Sequence, residues 1–117
     1  MANNIAFQPM GKSIRVTASN ATVTNATLFA DSPVNQYMIG NHDTKAIYVW
    51  ISPSTNPVNV SIPTGSGSSA GYAVMVPPSW VTVISGPQSS NNKSVQVSVL
   101  SENDSPEVYI TPGEGLG

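Results

Sequence analysis

The chain of 117 residues has no cysteine, one histidine and few charges, with four Lys and Arg against six Asp and Glu. The lack of cysteine excludes disulfides, thiolate metal sites and cysteine nucleophiles. Four cations cannot form the basic surface that nucleic-acid binding needs. No stretch reaches the 18 or so apolar residues of a membrane-spanning helix, and the opening residues lack the basic and apolar regions of a signal peptide. We therefore expect no nucleic-acid or membrane partner and synthesis in a cytoplasm.

Neutral polar residues take the place of the missing charges. The chain contains 17 Ser, 9 Thr and 11 Asn, which together make 37 of its residues. Ten prolines and nine glycines are spread along it and leave no window for a long helix. The length suits one domain, so we expect a single β domain over residues 1–117, with an extended N-terminal arm (1–11) and a C-terminal tail (112–117).

Runs of alternating apolar and polar residues lie between these helix breakers and indicate strands with one solvent-exposed face. We predict about eight short strands, drawn from the runs 12–18, 22–29, 36–39, 45–52, 58–62, 72–76, 80–85, 94–100 and 107–111. The run 45–52 is apolar on both sides, which is typical of an interior strand. The prolines on either side of 58–62 favour an edge strand or a strand end. Turns are expected at 40–43 and 86–92, and the fold class is all-β, an antiparallel β-sandwich or a jelly-roll-like barrel.

Residues that could carry catalysis are few and badly spaced. Gly67–Gly71 reads G-x-S-x-G around Ser69, but the only histidine, His42, precedes it and no helix is predicted to follow. His42 has no cysteine or second histidine with which to bind a metal ion. The acidic residues near 102–107 lack the spacing of a calcium loop. We therefore predict no enzymatic activity, no catalytic residue, no metal ion and no cofactor.

The two tryptophans differ in their predicted positions. Trp50 lies in the densest apolar run, which predicts a core position. Trp80 follows two prolines and a serine at the start of a strand, where it either closes the end of the sandwich or contacts a partner. The small-residue loop 64–71 is flexible by composition and could lie on a partner.

Four stretches of the chain resemble small virion proteins of tailed bacteriophages, and most of all the capsid decoration, or cement, proteins of short-tailed phages. The stretches are 4–12, 31–37, 86–88 and 109–116. The resemblance implies a small jelly-roll-like domain on the outside of the head that ties neighbouring major capsid protein subunits together. It also implies a virion protein of the capsid surface and a homo-oligomer, of which a trimer is one form.

The arm, the small-residue loop and the exposed aromatics are the contacts that we expect for this role. The predicted capsid or subunit contacts are Asn3, Asn4, Ile5, Phe7, Gln8, Pro9, Ser66, Ser68, Ser69, Tyr72, Trp80 and Leu116. Two alternatives stay open at this point. One is a glycan-binding module of a tail or fibre, and the other is a component of the head-tail connector.

Overall fold

The computed structural model describes residues 7–102 and 106–115. Within these ranges the chain forms nine strands: β1 (Gln8–Pro9), β2 (Ile14–Thr17), β3 (Thr24–Leu28), β4 (Val34–His42), β5 (Ile47–Pro53), β6 (Val74–Val76), β7 (Val81–Ser89), β8 (Val95–Ser101) and β9 (Glu107–Glu114). A single 3-10 turn covers Gly67–Ser69. No helix among the described residues is long and apolar enough to cross a membrane. The predicted all-β class is confirmed.

The strands form two antiparallel sheets that pack face to face. The first sheet has the order β1-β9-β4-β7, with β2 also paired to β9, and the second has the order β3-β8-β5-β6. Four of the pairings are nested, because β5 pairs with β6, β4 with β7, β3 with β8 and β2 with β9. A long hairpin rolled up on itself produces this order, which is that of a jelly roll.

The core lies between the two sheets and is built by alternate residues of each strand. Its buried members are Val16, Ala18, Leu28, Tyr37, Ile39, Ile47, Val49, Ile51, Val76, Val95, Val97, Val99, Val108 and Ile110. The branched residues fit the pleated inner faces, which explains why the period-two pattern predicted most strands correctly. Strand β5 is an interior strand, as the run 45–52 predicted.

Trp50 does not occupy the predicted core position. Ile47, Val49 and Ile51 point inward from β5, so Trp50 lies on the opposite, outer face of its sheet. There it is half-buried and meets the ring of Tyr72 edge-on at a centroid distance of 5.4 Å. The prediction was wrong because both faces of β5 are covered, one by the core and one by a segment of the chain. Apolar residues therefore occur on both faces, and the pattern does not show which face meets the core.

Three further predictions about elements were wrong. Residues 58–62 form no strand, and their N–H groups instead meet serine side chains of the second sheet. The expected turn at 40–43 lies largely within β4, which continues through His42 because Asn41 and His42 pair with β9. The expected loop at 86–92 was placed too early in the chain, because β7 continues to Ser89. The last part of β7 pairs with β4 in an irregular register, opposite Val34 and Gln36.

Candidate functional site

The outer face of the second sheet is covered by residues 54–73, here named the covering segment. The Val58 N–H donates to Ser52 Oγ at 2.9 Å, and the Val60 N–H donates to Ser98 Oγ at 2.9 Å. Val60 is only 2% exposed, although it belongs to no strand. The segment therefore buries this face of the sheet and leaves little of it for a partner.

The covering segment is closed on itself near its end. The Ser61 N–H donates to the Tyr72 carbonyl at 3.0 Å, and the Tyr72 N–H donates to Ser61 Oγ at 2.9 Å. Gly71 is required here because a Cβ at this position would overlap the Ser61 carbonyl group. This closure holds Tyr72 against Trp50.

The outer face of the first sheet has no such cover among the described residues and carries a shallow groove of about 400 Å³. We call it the outer groove, and its lining includes Met38, Gly40, His42, Val81, Tyr109 and Thr111. Val81 is 58% exposed and Tyr109 is 41% exposed. Large apolar side chains that remain this exposed on a sheet face mark a surface suited to binding.

Three strands that are distant in sequence build the outer groove. Gly40 of β4 pairs with Val81 of β7 on one side and with Tyr109 of β9 on the other. Met38 likewise has Thr111 as its β9 partner. Because Gly40 has no side chain, the floor of the groove lies low between Val81 and Tyr109.

One rim of the outer groove is polar. Arg15 Nη1 lies 3.3 Å from Glu107 Oε2, and the Tyr109 hydroxyl donates to the same oxygen at 3.2 Å. The Arg15 and Glu107 side chains are 62% and 42% exposed, so this ion pair adds little stability. The hydrogen bond to Glu107 limits the positions that the Tyr109 ring can take at this rim.

Asn41 fixes the backbone at the other end of the outer groove. Its Nδ2 donates to the carbonyls of Lys45, Val76 and Pro77 at 2.8, 3.2 and 3.1 Å. The Asn41 N–H donates to the Trp80 carbonyl at 2.9 Å. Asn41 thus joins the end of β4 to the connection between β6 and β7.

Trp80 is presented outward by this connection. Ser79, just before it, has φ of 56°, a left-handed conformation that is costly for a residue with a side chain. The Ser79 N–H donates to the Asp43 carbonyl at 3.0 Å and stabilises the turn. Trp80 is 57% exposed and does not close the end of the sandwich.

The other predicted contact residues are distributed over several surfaces. Gln8 and Pro9 are exposed in β1 and pair with Glu114 and Gly113 of β9. Phe7 lies against Gly113, where a Cβ would overlap its ring. Ser66, Ser68 and Ser69 are exposed around the 3-10 turn, and Tyr72 is exposed beside Trp50. Asn3, Asn4, Ile5 and Leu116 lie outside the described residues.

The structure does not bring the small-residue loop and the outer groove together. The loop is part of the covering segment on the second sheet, whereas the groove lies on the first sheet. Met38, Gly40, Val81 and Tyr109 were not predicted from the sequence. Each of them belongs to a run that reads as an ordinary strand or turn. Only the register of β4 against β7 and β9 places them side by side.

The serine of the sequence match to a catalytic motif lies in a 3-10 turn. Ser69 lies in the 3-10 turn Gly67–Ser69, and not in the sharp strand-to-helix turn that activates a serine nucleophile. No group of three or more His, Asp or Glu side chains that could hold a metal ion occurs in the described ranges.

Comparisons with known proteins add little to this description. No protein-family model matches the chain, and no curated protein matches it. Among solved structures, the chain is similar to the P-domain of Penaeus vannamei nodavirus, with 8% identity and a TM-score of 0.40 over 92% of this chain and 98% of that one. A TM-score of this size does not establish a common fold. The architecture described above is based on the strand pairings of this chain alone.

Proposed function

We propose that the chain is a capsid decoration, or cement, protein without enzymatic activity. In this role it binds the outside of a tailed bacteriophage head and stabilises contacts between major capsid protein subunits. The resemblance of four stretches to virion proteins of tailed bacteriophages supports the choice of a phage head as the binding partner. The outer groove supports the mode of action, because it leaves a largely apolar groove open on one outer sheet face while the covering segment buries the other outer face.

The surface chemistry of the chain is compatible with docking on a protein lattice. The fold is a two-sheet scaffold with a buried core, and its surface is polar but carries few charges. Many copies on a symmetric shell gain avidity that a single weak contact lacks. A protein that binds the assembled shell and not its separated subunits stabilises that shell by mass action.

The first experiment measures the number of copies per particle by quantifying the chain against the major capsid protein in purified virions with labelled peptides. We expect a ratio of one to one, or of one to a small integer. A few copies per particle would contradict the cement role and favour the connector. Absence from virions would contradict any virion role.

A second experiment tests the outer groove with Gly40→Val. A Cβ at Gly40 meets its nearest neighbours at 3.8 and 3.9 Å, an ordinary contact distance, so a side chain can be introduced at the floor of the groove. We expect the free energy of unfolding to rise by about 0.5 kcal/mol or more, because glycine weakens a strand interior. Binding to heads lacking the protein should weaken about tenfold, since the binding surface is blocked.

Thr27→Val is the matched control for this experiment, because it adds an apolar β-branched side chain to an exposed position of β3 in the other sheet. Its binding to heads should equal that of the unaltered protein. Equal binding by Gly40→Val and by the control would contradict the role of the outer groove.

The exposed aromatic rings favour one alternative, a glycan-binding module of a tail or fibre. Tyr72 is 56% and Trp80 is 57% exposed, and amphipathic rings of this kind are enriched at binding surfaces. This alternative expects tryptophan fluorescence to shift when host surface glycans are added and expects Trp80→Ala to abolish the shift. No shift across a panel of such glycans would contradict it.

A further inference from the structure

Strand β7 forms a long open edge of the first sheet. It spans nine residues and pairs with β4, and no other strand of the described chain pairs with its far side. The other edge strands are shorter, with three residues in β6, five in β3 and four in β2. A long open edge presents a row of backbone groups ready to pair with another strand.

The hydrogen bond from the Asn41 N–H to the Trp80 carbonyl identifies which backbone groups face outward. It marks Asn41 and Trp80 as a hydrogen-bonded pair, so the next pair, Gly40 and Val81, is of the non-hydrogen-bonded kind. Alternation along the ladder then directs the N–H and C=O groups of Val81, Val83 and Ser85 away from β4. We call residues 81–85 the β7 edge.

The β7 edge lacks the features that usually protect an exposed strand. Residues 81–89 contain no charged side chain. Pro87 and the irregular register lie beyond Ser85, so the β7 edge itself pairs regularly with β4. Native edge strands of this length normally carry a charge, a bulge or a covering loop.

Apolar surface flanks the β7 edge on both sides. On the outer face Val81 borders the outer groove. On the opposite face of the strand, Ile84 lines an opening of about 310 Å³ whose lining also includes Trp50 and Val74. A strand added here would therefore bury side chains on both of its faces.

We propose that the β7 edge is a strand-addition surface and that its occupant is the β7 edge of a second copy of this chain, paired antiparallel about a two-fold axis at Val83. In this register Val83 lies opposite Val83 of the second copy, and Val81 lies opposite Ser85. The outward N–H and C=O groups of Val81, Val83 and Ser85 then find partners one for one. The two first sheets become a single continuous sheet with an isologous interface.

Two properties of the strand favour a second copy over an unrelated strand. Because residues 81–89 are uncharged, two identical edges meet without the like-charge repulsion that usually prevents self-pairing. The same register also places the branched Val83 side chain opposite its own copy, a cross-strand pair that suits a pleated sheet. This inference does not depend on the capsid role.

The test measures the molar mass of the purified full chain by sedimentation equilibrium over a range of concentrations, with Val83→Pro as the disrupting variant. Proline removes an N–H that points away from β4, so the β4–β7 ladder is preserved while two hydrogen bonds of the dimer are lost. We expect a dimer for the unaltered protein and a dissociation constant at least about tenfold higher for the variant. Val83→Thr keeps both the N–H and the branched shape, so it should dimerise like the unaltered protein.

Val83→Lys is the second variant, in case Val83→Pro fails to fold as judged by circular dichroism. It places two cations opposite each other in the dimer and should give a monomer at low salt. A monomeric unaltered protein at all concentrations would overturn the proposal, as would a folded Val83→Pro or Val83→Lys that dimerises as tightly as the unaltered protein. Gly40→Val lies outside the β7 edge and should dimerise normally, so a failure of the capsid proposal is distinguishable from a failure of this one.

Discussion

Tyr37 shows how a single residue can stabilise an irregular element at a distance in sequence. Its ring is fully buried in the core, while its hydroxyl donates to the Pro87 carbonyl at 2.5 Å and lies 3.0 Å from Ser89 Oγ. Both partners lie in the irregular half of β7. Tyr37 therefore stabilises the part of β7 that pairs irregularly with β4. The regular part, residues 81–85, forms the open edge.

The same tyrosine predicts how stability depends on alkaline pH. Burial raises the pKa of Tyr37 above 10.0, and the hydrogen bond with Ser89 offsets only part of this increase. Above pH 10 the unfolded chain therefore loses the tyrosine proton before the folded chain does. The free energy of unfolding should fall with a slope of up to about 1.4 kcal/mol per pH unit that begins near this pH.

Chemical denaturation of the unaltered protein and of Tyr37→Phe at several pH values near and above 10 tests this prediction. The variant should lack the part of the slope that belongs to Tyr37. It should also be about 1–3 kcal/mol less stable near neutral pH, because the Pro87 carbonyl and the Ser89 hydroxyl lose a buried partner. Parallel pH profiles for the two proteins would show that Tyr37 titrates alike in the folded and unfolded chains.

The elements differ in how well their residue pattern predicts them. The run 45–52 has apolar residues on both faces, and this pattern correctly predicts an interior strand. Residues 58–62 show the same alternation but form no strand, because side-chain hydroxyls of Ser52 and Ser98 satisfy N–H groups that a neighbouring strand would otherwise bind. Alternation reports which side chains are buried, and it does not distinguish a paired strand from an extended segment that lies on a sheet.

The outer groove was unpredictable for a different reason. Gly40 reads as a turn residue beside Asn41, yet it lies within a strand where its missing side chain creates the floor of a groove. Val81 and Tyr109 become its neighbours only because β4 pairs with β7 and with β9, strands about 40 and about 70 residues away in sequence. No local pattern contains that information.

The covering segment gives a prediction at the scale of elements. Gly71→Ala places a methyl group into the Ser61 carbonyl, so the closure of the segment must shift. We expect a loss of about 1–3 kcal/mol in the free energy of unfolding, together with a changed near-ultraviolet circular dichroism signal as Tyr72 moves from Trp50.

Gly40→Ala serves as the control for Gly71→Ala, because a Cβ at Gly40 makes only ordinary contacts. It should leave the aromatic signal unchanged and should not reduce stability. An unaltered melting temperature and aromatic signal in Gly71→Ala would contradict the view that this glycine closes the segment.

At the scale of the whole molecule, the scarcity of charge predicts the salt dependence of association. The β7 edge contains no charged residue, so the dimer should have little electrostatic energy for salt to screen. The dimer dissociation constant should change less than about threefold between about 0.05 and about 0.5 M sodium chloride. Val83→Lys should behave differently, with dimerisation partly recovered at high salt. A steep salt dependence in the unaltered protein would place charged residues, and not the β7 edge, at the interface.

The nested strand pairing also determines which contacts the unfolded chain can form at the lowest cost in conformational entropy. Joining β5 to β6 closes the shortest loop of the four nested pairs, and each outer pair then adds only short connections to a structure already closed. Joining β2 to β9 first would instead close a loop that contains most of the chain, at a higher entropic cost. We therefore expect assembly to proceed outward from β5 and β6, and we expect the many long-range pairings to make it slow compared with that of a helical domain of equal length.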